Sequence, residues 1–386
     1  MNMLILVINA GSSSIKYSLF QMPDEHCILR GILERIGEKY SFIKHRLGEK
    51  DVFKRRLKIS HHREGINFIF SLLVDKRRGV IRDLQEISCV GHRVVHGGEI
   101  FRQPCIIDRK RLLKIKEYSI LAPLHNPPAV MVIEECFKHL EDIPQVAVFD
   151  TAFHSTMPKQ AFFYGLPYSL YEKYGIRRYG FHGTSHQYVA EEAARILKKP
   201  LEKLKIITCH LGNGCSITAI KGGKSIDTSM GFTPLEGLVM GTRPGDFDPS
   251  IILFLLKRGF TPEKIEELLN KKSGLLGLSG VSNDMRDINE AIKENNPRAK
   301  LARDVFVYRV QKYIGAYTGI LGGLDALVFT AGIGENQKGI RKRICEGLEF
   351  ILKKTKARVL VIHTDEEQLI ARKSYLLLKN NEDKSK

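Results

Sequence analysis

Three glycine-containing turns, each next to a short apolar segment, have the composition of phosphate-binding loops. They are the segments 9–16 (NAGSSSIK), 210–214 (HLGNG) and 332–336 (GIGEN). Glycine lets the backbone approach a ligand closely, and consecutive backbone N–H groups in a turn attract anions. The Walker A pattern G-x-x-x-x-G-K-[ST] does not occur in the chain. Taken singly, the first turn is also typical of a plain hairpin and the second of a type I′ turn, but three such turns in one chain favour a nucleotide site.

Two arginines lie among glycines and apolar residues, a setting that a surface arginine does not need. Arg93 stands in VGHRVVHGG and Arg243 in GTRPGD. The planar guanidinium group matches the oxygens of a carboxylate or a phosphoryl group. Because phosphoryl transfer depends on positioning and charge stabilisation rather than on covalent work by the protein, two arginines and a histidine could supply that catalysis. A structural ion pair is the alternative interpretation of each arginine.

An acidic residue and two histidines complete the candidate set. Asp150 follows the apolar segment 145–149, a common place for a group that orients a metal or a nucleophile, although a turn or helix cap would also fit. His182 is flanked by glycines in YGFHGTSH, and by itself it is typical of a buried core or capping histidine. His186, in the same motif, is expected on the surface of the next helix. No spacing resembles that of a zinc site.

The segments that must position these residues alternate between strands and helices, which predicts an α/β fold. Continuous apolar runs indicate strands, and 3.6-residue spacing indicates helices. The predicted strands are 3–9, 15–20, 145–149, 205–210, 216–220, 326–330 and 359–363, and the predicted helices are 127–140, 186–197, 261–270, 299–317 and 367–378.

The segments 6–17 and 207–220 repeat one pattern, a strand, a polar turn and a second strand, about half a chain apart. This repetition predicts a duplicated α/β domain. We place an N-terminal domain at 1–150, completed by the C-terminal helix 367–386, and a C-terminal nucleotide-binding domain at 151–366. The length of 386 residues agrees with two domains. Since no low-complexity linker separates them, we expect them to meet at a cleft.

Composition excludes several other classes of protein. The net charge of +18 attracts anions in general, but no nucleic-acid motif accompanies it, so we expect a solvated basic surface and no nucleic-acid partner. No apolar run approaches the ~20 residues of a membrane-spanning helix, and the N-terminus does not have the pattern of a signal peptide. The seven cysteines, an odd number without a C-x-x-C pair, indicate reduced thiols and a cytoplasmic protein.

Together, the motifs resemble the acetate kinase (acetokinase) family. The matching segments are NAGSSSxK, GHRVVHGG, FDTAFH, GFHGTSH, HLGNG, MGTRxGD and AGIGEN; they stand in family order and cover nearly the whole chain. The resemblance implies two duplicated ribonuclease-H-like domains of the acetate and sugar kinase, actin and heat-shock chaperone superfamily. It also implies reversible transfer of the γ-phosphoryl group of ATP to acetate, giving acetyl phosphate and ADP, with Mg²⁺ (or Mn²⁺) as cofactor and a homodimer as the assembly.

The resemblance assigns a role to each matching residue. Arg93 would hold the substrate carboxylate, Asp150 would be the active-site acidic residue, and His182 and Arg243 would stabilise the transition state. Lys16 would approach the ATP phosphates, and the metal would be supported by Asn9 and Glu366. The ATP site would be lined by His210, Leu211, Gly212, Asn213, Gly214, Asp284, Met285, Arg286, Gly332, Ile333, Gly334, Glu335 and Asn336. The pocket for the acetate methyl group would consist of Val95, Leu124, Phe181 and Pro234.

Two alternatives stay open. Propionate or butyrate could be the natural acid, because one methylene group is worth only ~1–3 kcal/mol of discrimination in an apolar pocket. A non-catalytic nucleotide-binding scaffold of the actin or chaperone type is the more distant alternative.

A carboxylic acid titrates near pH ~4 and is already ionised at neutral pH, so the reaction needs no general base. Asp150 is therefore expected to orient the substrate or the Mg²⁺.

Overall fold

The structure, a computed structural model, describes residues 2–48, 50–123 and 125–385. It divides into two compact units: unit 1 is Met1–Ala152 with Asp365–Lys386, and unit 2 is Phe153–Thr364. The predicted boundaries stood at 150/151 and 366/367. Leu124, predicted for the methyl pocket, lies outside the described residues.

One mixed sheet organises the described part of unit 1, in the strand order β5-β4-β3-β2-β1-β6-β8-β7. Its strands are β1 Met3–Ala10, β2 Ser14–Met22, β3 His26–Glu34, β4 Ser41–Leu47, β5 Lys50–Leu57, β6 Cys89–Val94, β7 Cys105–Ile106 and β8 Gln145–Phe149. Because β1, β6 and β8 are parallel, their carboxyl ends meet at one edge of the sheet. The helices are α1 His62–Leu73, α2 Arg109–Glu117, α3 Asn126–His139 and the C-terminal helix Glu366–Ser385, with 3-10 turns at Leu84–Glu86 and Tyr118–Ile120.

The two-residue periodicity of β1 places its side chains in two separate cores. Leu6 and Ile8 pack with Ile66 of α1 on one face of the sheet. Ile5 and Val7 pack on the other face against the C-terminal helix. Both faces of β1 are therefore buried, which explains why it reads as a continuous apolar run rather than an alternating one.

A second mixed sheet organises unit 2, in the order β11-β10-β9-β12-β13. Its strands are β9 Lys205–Leu211, β10 Cys215–Lys221, β11 Lys224–Thr228, β12 Ala326–Thr330 and β13 Arg358–Val361. The helices are α4 Lys159–Phe162, α5 Tyr168–Tyr174, α6 Gly183–Leu197, α7 Ser250–Lys257, α8 Pro262–Glu267, α9 Gly274–Ser279, α10 Met285–Lys293, α11 Pro297–Leu321, α12 Ala331–Asn336, α13 Lys338–Glu346 and α14 Glu349–Thr355. Short irregular turns are the 3-10 helices Ala152–Thr156 and Leu201–Lys203 and the π-helix Leu268–Lys272.

The repetition seen in the sequence is present in both sheets. In unit 1 the antiparallel pair β1–β2 is extended by β6, which is parallel to β1. In unit 2 the antiparallel pair β9–β10 is extended by β12, which is parallel to β9. The duplicated α/β fold is therefore confirmed. No helix in the described parts of the chain is long and apolar enough to cross a membrane.

The predicted strands and helices are confirmed, with small shifts at their ends. The predicted helix 261–270 is divided in the structure into α8 and the π-helix, and Thr261 caps α8 by accepting a hydrogen bond from the Lys264 N–H. Strands β3 to β5 were not predicted. Their many polar residues hide the apolar alternation, since only part of each strand faces the core.

Candidate active site

In unit 1, four predicted residues meet at the carboxyl ends of β1, β6 and β8. Arg93 donates to both carboxylate oxygens of Asp150, from Nε at 3.0 Å and from Nη2 at 2.6 Å. Its Nη1 donates to Asn9 Oδ1 at 3.1 Å. Glu366, the first residue of the C-terminal helix, places Oε2 3.5 Å from Arg93 Nε. We call Asn9, Arg93, Asp150 and Glu366 the arginine cluster.

The charges of the arginine cluster do not balance, because one guanidinium faces two carboxylate groups. Burial acts to lower the pKa of Arg93, but Asp150 and Glu366 outweigh it and raise that pKa, so the arginine stays cationic. A net negative group of hard oxygen donors is suited to a divalent cation, and Mg²⁺ commonly takes only one or two protein carboxylates together with substrate phosphates. In the described parts of the chain, no group of three or more His, Cys, Asp or Glu residues could hold a metal. The side-chain oxygen atoms of Asn9 and Glu366 are of the kind that Mg²⁺ takes as ligands.

The first glycine turn joins β1 to β2. Lys16 stands opposite Asn9 in the β-ladder and is exposed. Its positive charge partly offsets the burial that raises the pKa of Glu367. The turn is held by Gly11, whose N–H donates to Ser14 O at 2.8 Å and whose carbonyl accepts from His62 Nε2 at 2.7 Å. The sequence analysis missed His62 because it lies in a separate helix and belongs to no motif.

In unit 2, His182 and Arg243 converge on the second glycine turn. His182 is the N-cap of α6, with φ of 57°, and its ring stacks on the ring of His210 at 4.1 Å. A Cβ atom added to Gly214 would lie 3.3 Å from the His182 ring and 3.6 Å from Arg243 Nη2. None of residues 212–214 has φ in the left-handed region, so the turn is not of type I′. Gly214 instead gives the side chains of His182 and Arg243 close access to the backbone.

Arg243 differs from Arg93 in its electrostatic setting. Its Nη1 donates to the carbonyl of Pro234 at 2.8 Å, and within the described residues no carboxylate lies within ion-pair distance of its guanidinium group. Burial lowers the pKa of Arg243. The preceding Thr242 fixes this loop, because its hydroxyl donates to Asn270 O at 2.8 Å and its carbonyl accepts from the Ser273 N–H. The positive charge of this half-buried arginine is therefore available to bind an anion.

A cavity of about 400 Å³ opens beside these residues in unit 2. It is lined by Gly212, Asn213, Asn283, Asp284, Met285, Arg286, Gly332, Ile333, Asn336 and Gln337. All of these except Asn283 and Gln337 were predicted for the ATP site. The β-ladder explains the convergence, since His210 of β9 stands opposite Thr330 of β12 and the two turns leave the same edge of the sheet.

Five residues predicted for the ATP site are not among those that line the cavity. Leu211 and Gly334 are buried. His210 stacks on the His182 ring, and Gly214 lies next to His182 and Arg243. The side chain of Glu335 accepts a hydrogen bond from the backbone of the third turn. The sequence could not separate lining residues from supporting ones, because both kinds stand in the same motifs.

Glu335 holds the third turn in a strained conformation. Its Oε1 accepts from the Ala331 N–H at 2.7 Å and from Thr330 Oγ1 at 3.2 Å, and Oε2 lies 2.7 Å from His363 Nδ1. Burial acts to raise the pKa of Glu335, but the hydrogen bond and charge of His363, helped by the Ala331 and Thr330 bonds, lower it. Ala331 has φ of 65°, a conformation that side chains rarely adopt. Strain of this kind is often found at ligand-binding turns.

The residues predicted for the methyl pocket belong to both units. Val95 is buried in unit 1, whereas Phe181 and Pro234 belong to unit 2, with Phe181 buried and Pro234 half-buried. The Phe181 carbonyl lies 3.0 Å from His154 Nε2.

One expectation was wrong. His186 was expected on a helix surface, but its side chain is completely buried and hydrogen-bonds to Thr208 and Ser216. Helical spacing gives the reason, because His186 shares the buried face of α6 with Val189, Ala190 and Ala193.

Comparison with known proteins adds a family to this geometry. A sequence model of the acetokinase family matches residues 4–371. The acetate kinase of Halothermothrix orenii is 53% identical, over 96% of this chain and 98% of that protein. The crystal structure of Porphyromonas gingivalis acetate kinase superposes with a TM-score of 0.91 at 44% identity, over 97% of this chain and 100% of that one. A propionate kinase from Francisella tularensis superposes with a TM-score of 0.87 at 42% identity, over 96% and 98% of the two chains.

Proposed function

The chain belongs to the acetokinase family, and we propose how its residues carry out the reaction of an ATP:acetate phosphotransferase. An acetate oxygen attacks the γ-phosphorus of ATP, and the bond from that phosphorus to the β–γ bridging oxygen breaks. ADP leaves with the electron pair of that bond. The attacking carboxylate is already ionised, so no proton has to be removed from it.

Unit 2 is proposed to bind ATP in the 400 Å³ cavity, with Arg243 and His182 on the transferred phosphoryl group. The observation that carries this proposal is the setting of Arg243: a guanidinium beside Gly214 and His182, without a carboxylate partner in the described chain. Charge develops on the equatorial oxygens of the phosphoryl group as it is transferred, and preorganised donors stabilise it there.

Unit 1 is proposed to hold the acid through Arg93. Among the described residues, Asp150 and Asn9 accept from three of its five N–H groups, which leaves one N–H on each terminal nitrogen. A carboxylate can accept from these two N–H groups. Asp150 then acts by fixing the guanidinium. Val95, which is buried in unit 1, is proposed to contact the methyl group.

Mg²⁺ is the proposed cofactor, held by Asn9 and Glu366 together with the phosphates of ATP. When bound, it would neutralise phosphate charge and orient the nucleotide. Lys16, which stands opposite Asn9 in the β-ladder, is proposed to approach the same phosphates.

A homodimer is the proposed assembly, and the helix α7 supports it. Its sequence, SIILFLLK, is apolar almost throughout, yet none of its residues is buried within the chain. Leu253 is 60% and Phe254 56% exposed. A helix that is apolar on all sides normally packs against something. A reducing cytoplasm is the proposed location, in keeping with free thiols at the seven cysteines.

A hydroxamate assay tests the activity. The chain is incubated with MgATP and acetate, propionate or butyrate, and acyl phosphate is trapped with hydroxylamine. We expect the highest kcat/KM with acetate. A preference for propionate would favour the activity named for the Francisella relative, and ATP binding without any acyl phosphate would leave the scaffold alternative.

A further inference from the structure

Behind His182 lies a set of buried groups to which the mechanism above gives no role. Ser216 Oγ lies 2.9 Å from His182 Nδ1 and 2.7 Å from His186 Nε2. His186 Nδ1 lies 2.7 Å from Thr208 Oγ1. Thr208, His186 and Ser216 are each 0% exposed, so bulk water does not compete for these bonds. We call these three residues the relay.

Proton counting restricts the relay to two arrangements. Ser216 has one hydroxyl proton and two imidazole nitrogens beside its oxygen, so it donates to one ring and accepts from the other. One of the two nitrogens, His182 Nδ1 or His186 Nε2, therefore carries a proton and the other does not. Burial, together with the neighbouring His154 and His210, lowers the pKa of His186 well below its usual value. His186 is consequently neutral and has a single N–H.

Thr208 decides between the two arrangements. Within the described structure, His186 Nδ1 is the hydrogen-bond partner of its hydroxyl. If Nδ1 carried the proton, Thr208 would have to accept, and its own buried O–H would be left without an acceptor, which is unfavourable. Thr208 therefore donates to Nδ1. It follows that His186 Nε2–H donates to Ser216 and that Ser216 donates to His182 Nδ1.

We propose that Thr208, His186 and Ser216 are positioning residues that hold His182 as its Nε2–H tautomer. His182 then presents an N–H donor from Nε2 to the phosphoryl group while Nδ1 is held as an acceptor. An imidazolium at His182 would require every bond of the relay to reverse, so the relay also favours the neutral ring. This inference rests on the role that the proposed function gives to His182.

The tautomer can be measured in the wild-type chain without any substitution. With ¹⁵N-labelled histidine, long-range ¹H–¹⁵N spectra distinguish a protonated from an unprotonated ring nitrogen, and the spectrum of His182→Asn assigns the signals. We expect His182 to be protonated at Nε2 and unprotonated at Nδ1. Protonation at Nδ1 alone, or at both nitrogens at neutral pH, would overturn the proposal.

A matched pair at Thr208 tests the direction of the relay. Thr208→Val keeps the shape of the side chain and removes the hydroxyl, whereas Thr208→Ser keeps the hydroxyl. We expect Thr208→Val to weaken the Nε2–H preference of His182 and to lower kcat by about 10-fold, with unchanged KM values, while Thr208→Ser stays close to wild type in both. Ser216→Ala, which breaks the bond to His182 itself, should lower kcat by roughly 10–100-fold.

Thr218→Val is the control for losing a buried hydroxyl. Thr218 lies in the same strand as Ser216, is 0% exposed and bonds to Thr228 at 2.9 Å rather than to a histidine. The Thr218→Val variant should keep His182 in its wild-type tautomer and should have the kcat of the wild type. Equal spectra and equal kcat for Thr208→Val and Thr208→Ser would refute the relay. A wild-type chain that shows the expected tautomer but forms no acyl phosphate would refute the proposed function instead.

Discussion

At the scale of single residues, Arg93 and Arg243 have different bonding partners, which their sequence motifs do not reveal. Both stand among glycines, yet Arg93 is paired with Asp150 and Glu366 whereas Arg243 donates to a backbone carbonyl. The partners of Arg93 are 57 and 273 positions away in the chain, so no local pattern reveals them. Their different settings suggest different tasks, one arginine fixed by carboxylates for the acid and one left for the phosphoryl group.

Asp150→Asn should lower kcat by about 100-fold. Without the carboxylate of Asp150, the guanidinium of Arg93 can shift, and a shift of about 1 Å is enough to misplace the acid for the reaction. No new dependence of kcat on pH should accompany the loss, since acetate is ionised throughout the range that is measured. Steady-state kinetics between pH ~6 and ~9 check both points. Asp51→Asn, at an exposed ion pair of unit 1, is the control. Recovery of the Asp150→Asn activity at high pH would show that Asp150 is a general base.

Buried histidines should make the fold sensitive to acid. Burial lowers the pKa of His92 to about 4, against a hydrogen bond with Gln145 that acts to raise it. The unfolded chain binds this proton near pH ~6.5 and the folded chain only near 4. The contribution of His92 to stability is therefore fully present above ~6.5 and falls by about 1.4 kcal/mol per pH unit as the pH is lowered from ~6.5 to about 4. Chemical unfolding of the wild type and His92→Gln across this range measures the difference. The slope should be smaller in His92→Gln, and His26→Gln, at an exposed position, should leave it unchanged; an equal slope in all three would contradict the assignment.

At the scale of the elements, the C-terminal helix completes unit 1 through a very close contact with β6. A Cβ atom at Gly91 would lie 2.8 Å from Ser374 Oγ and 2.9 Å from Ile370 Cγ2. Arg30 forms an ion pair with Asp365, whose side chain also accepts from the Gln368 N–H in the first turn of this helix. Through this packing the last segment of the chain supplies Glu366 to the arginine cluster.

Gly91→Ala should therefore lower the free energy of unfolding by about 1–3 kcal/mol, the usual cost of overpacking a core. It should also lower kcat, because the displaced helix carries Glu366. Gly339→Ala, in a helix with nothing within 4 Å of the added carbon, is the matched control and should be neutral or slightly stabilising. Chemical denaturation and steady-state kinetics of the two variants make the comparison. Equal stability of both variants would show that the helix can shift without cost.

The elements and the turns of the site could be predicted because their signals are local. Buried strands such as β8 and β12 are continuous apolar runs, and the turns after β1, β9 and β12 carry glycine motifs. The supporting contacts could not be predicted, because they join distant segments. His62 lies 51 positions from Gly11, and Asn283 donates to Asn213 from 70 positions away. The hydrogen bonds of His186 likewise join it to distant residues, in β9 and β10.

At the scale of the whole molecule, the exposed apolar helix α7 makes self-association testable. The double variant Leu253→Asp, Phe254→Asp places two charges on this helix. In light scattering we expect the wild type to be a dimer and the double variant to be a monomer. Ile120→Asp, at an exposed apolar position of unit 1, is the control and should remain dimeric. A wild-type chain that is monomeric at all concentrations would contradict the proposed assembly.

We propose that the chain phosphorylates a small carboxylate by holding the transferred group with Arg243, whose guanidinium has no carboxylate partner among the described residues. The most direct test measures acyl phosphate formation from MgATP and acetate by the wild type and by Arg243→Ala, together with ATP affinity from equilibrium binding. We expect rapid formation by the wild type and a loss of about 100-fold or more in kcat for Arg243→Ala, with nearly unchanged ATP affinity. An Arg243→Ala variant with the kcat of the wild type would contradict it.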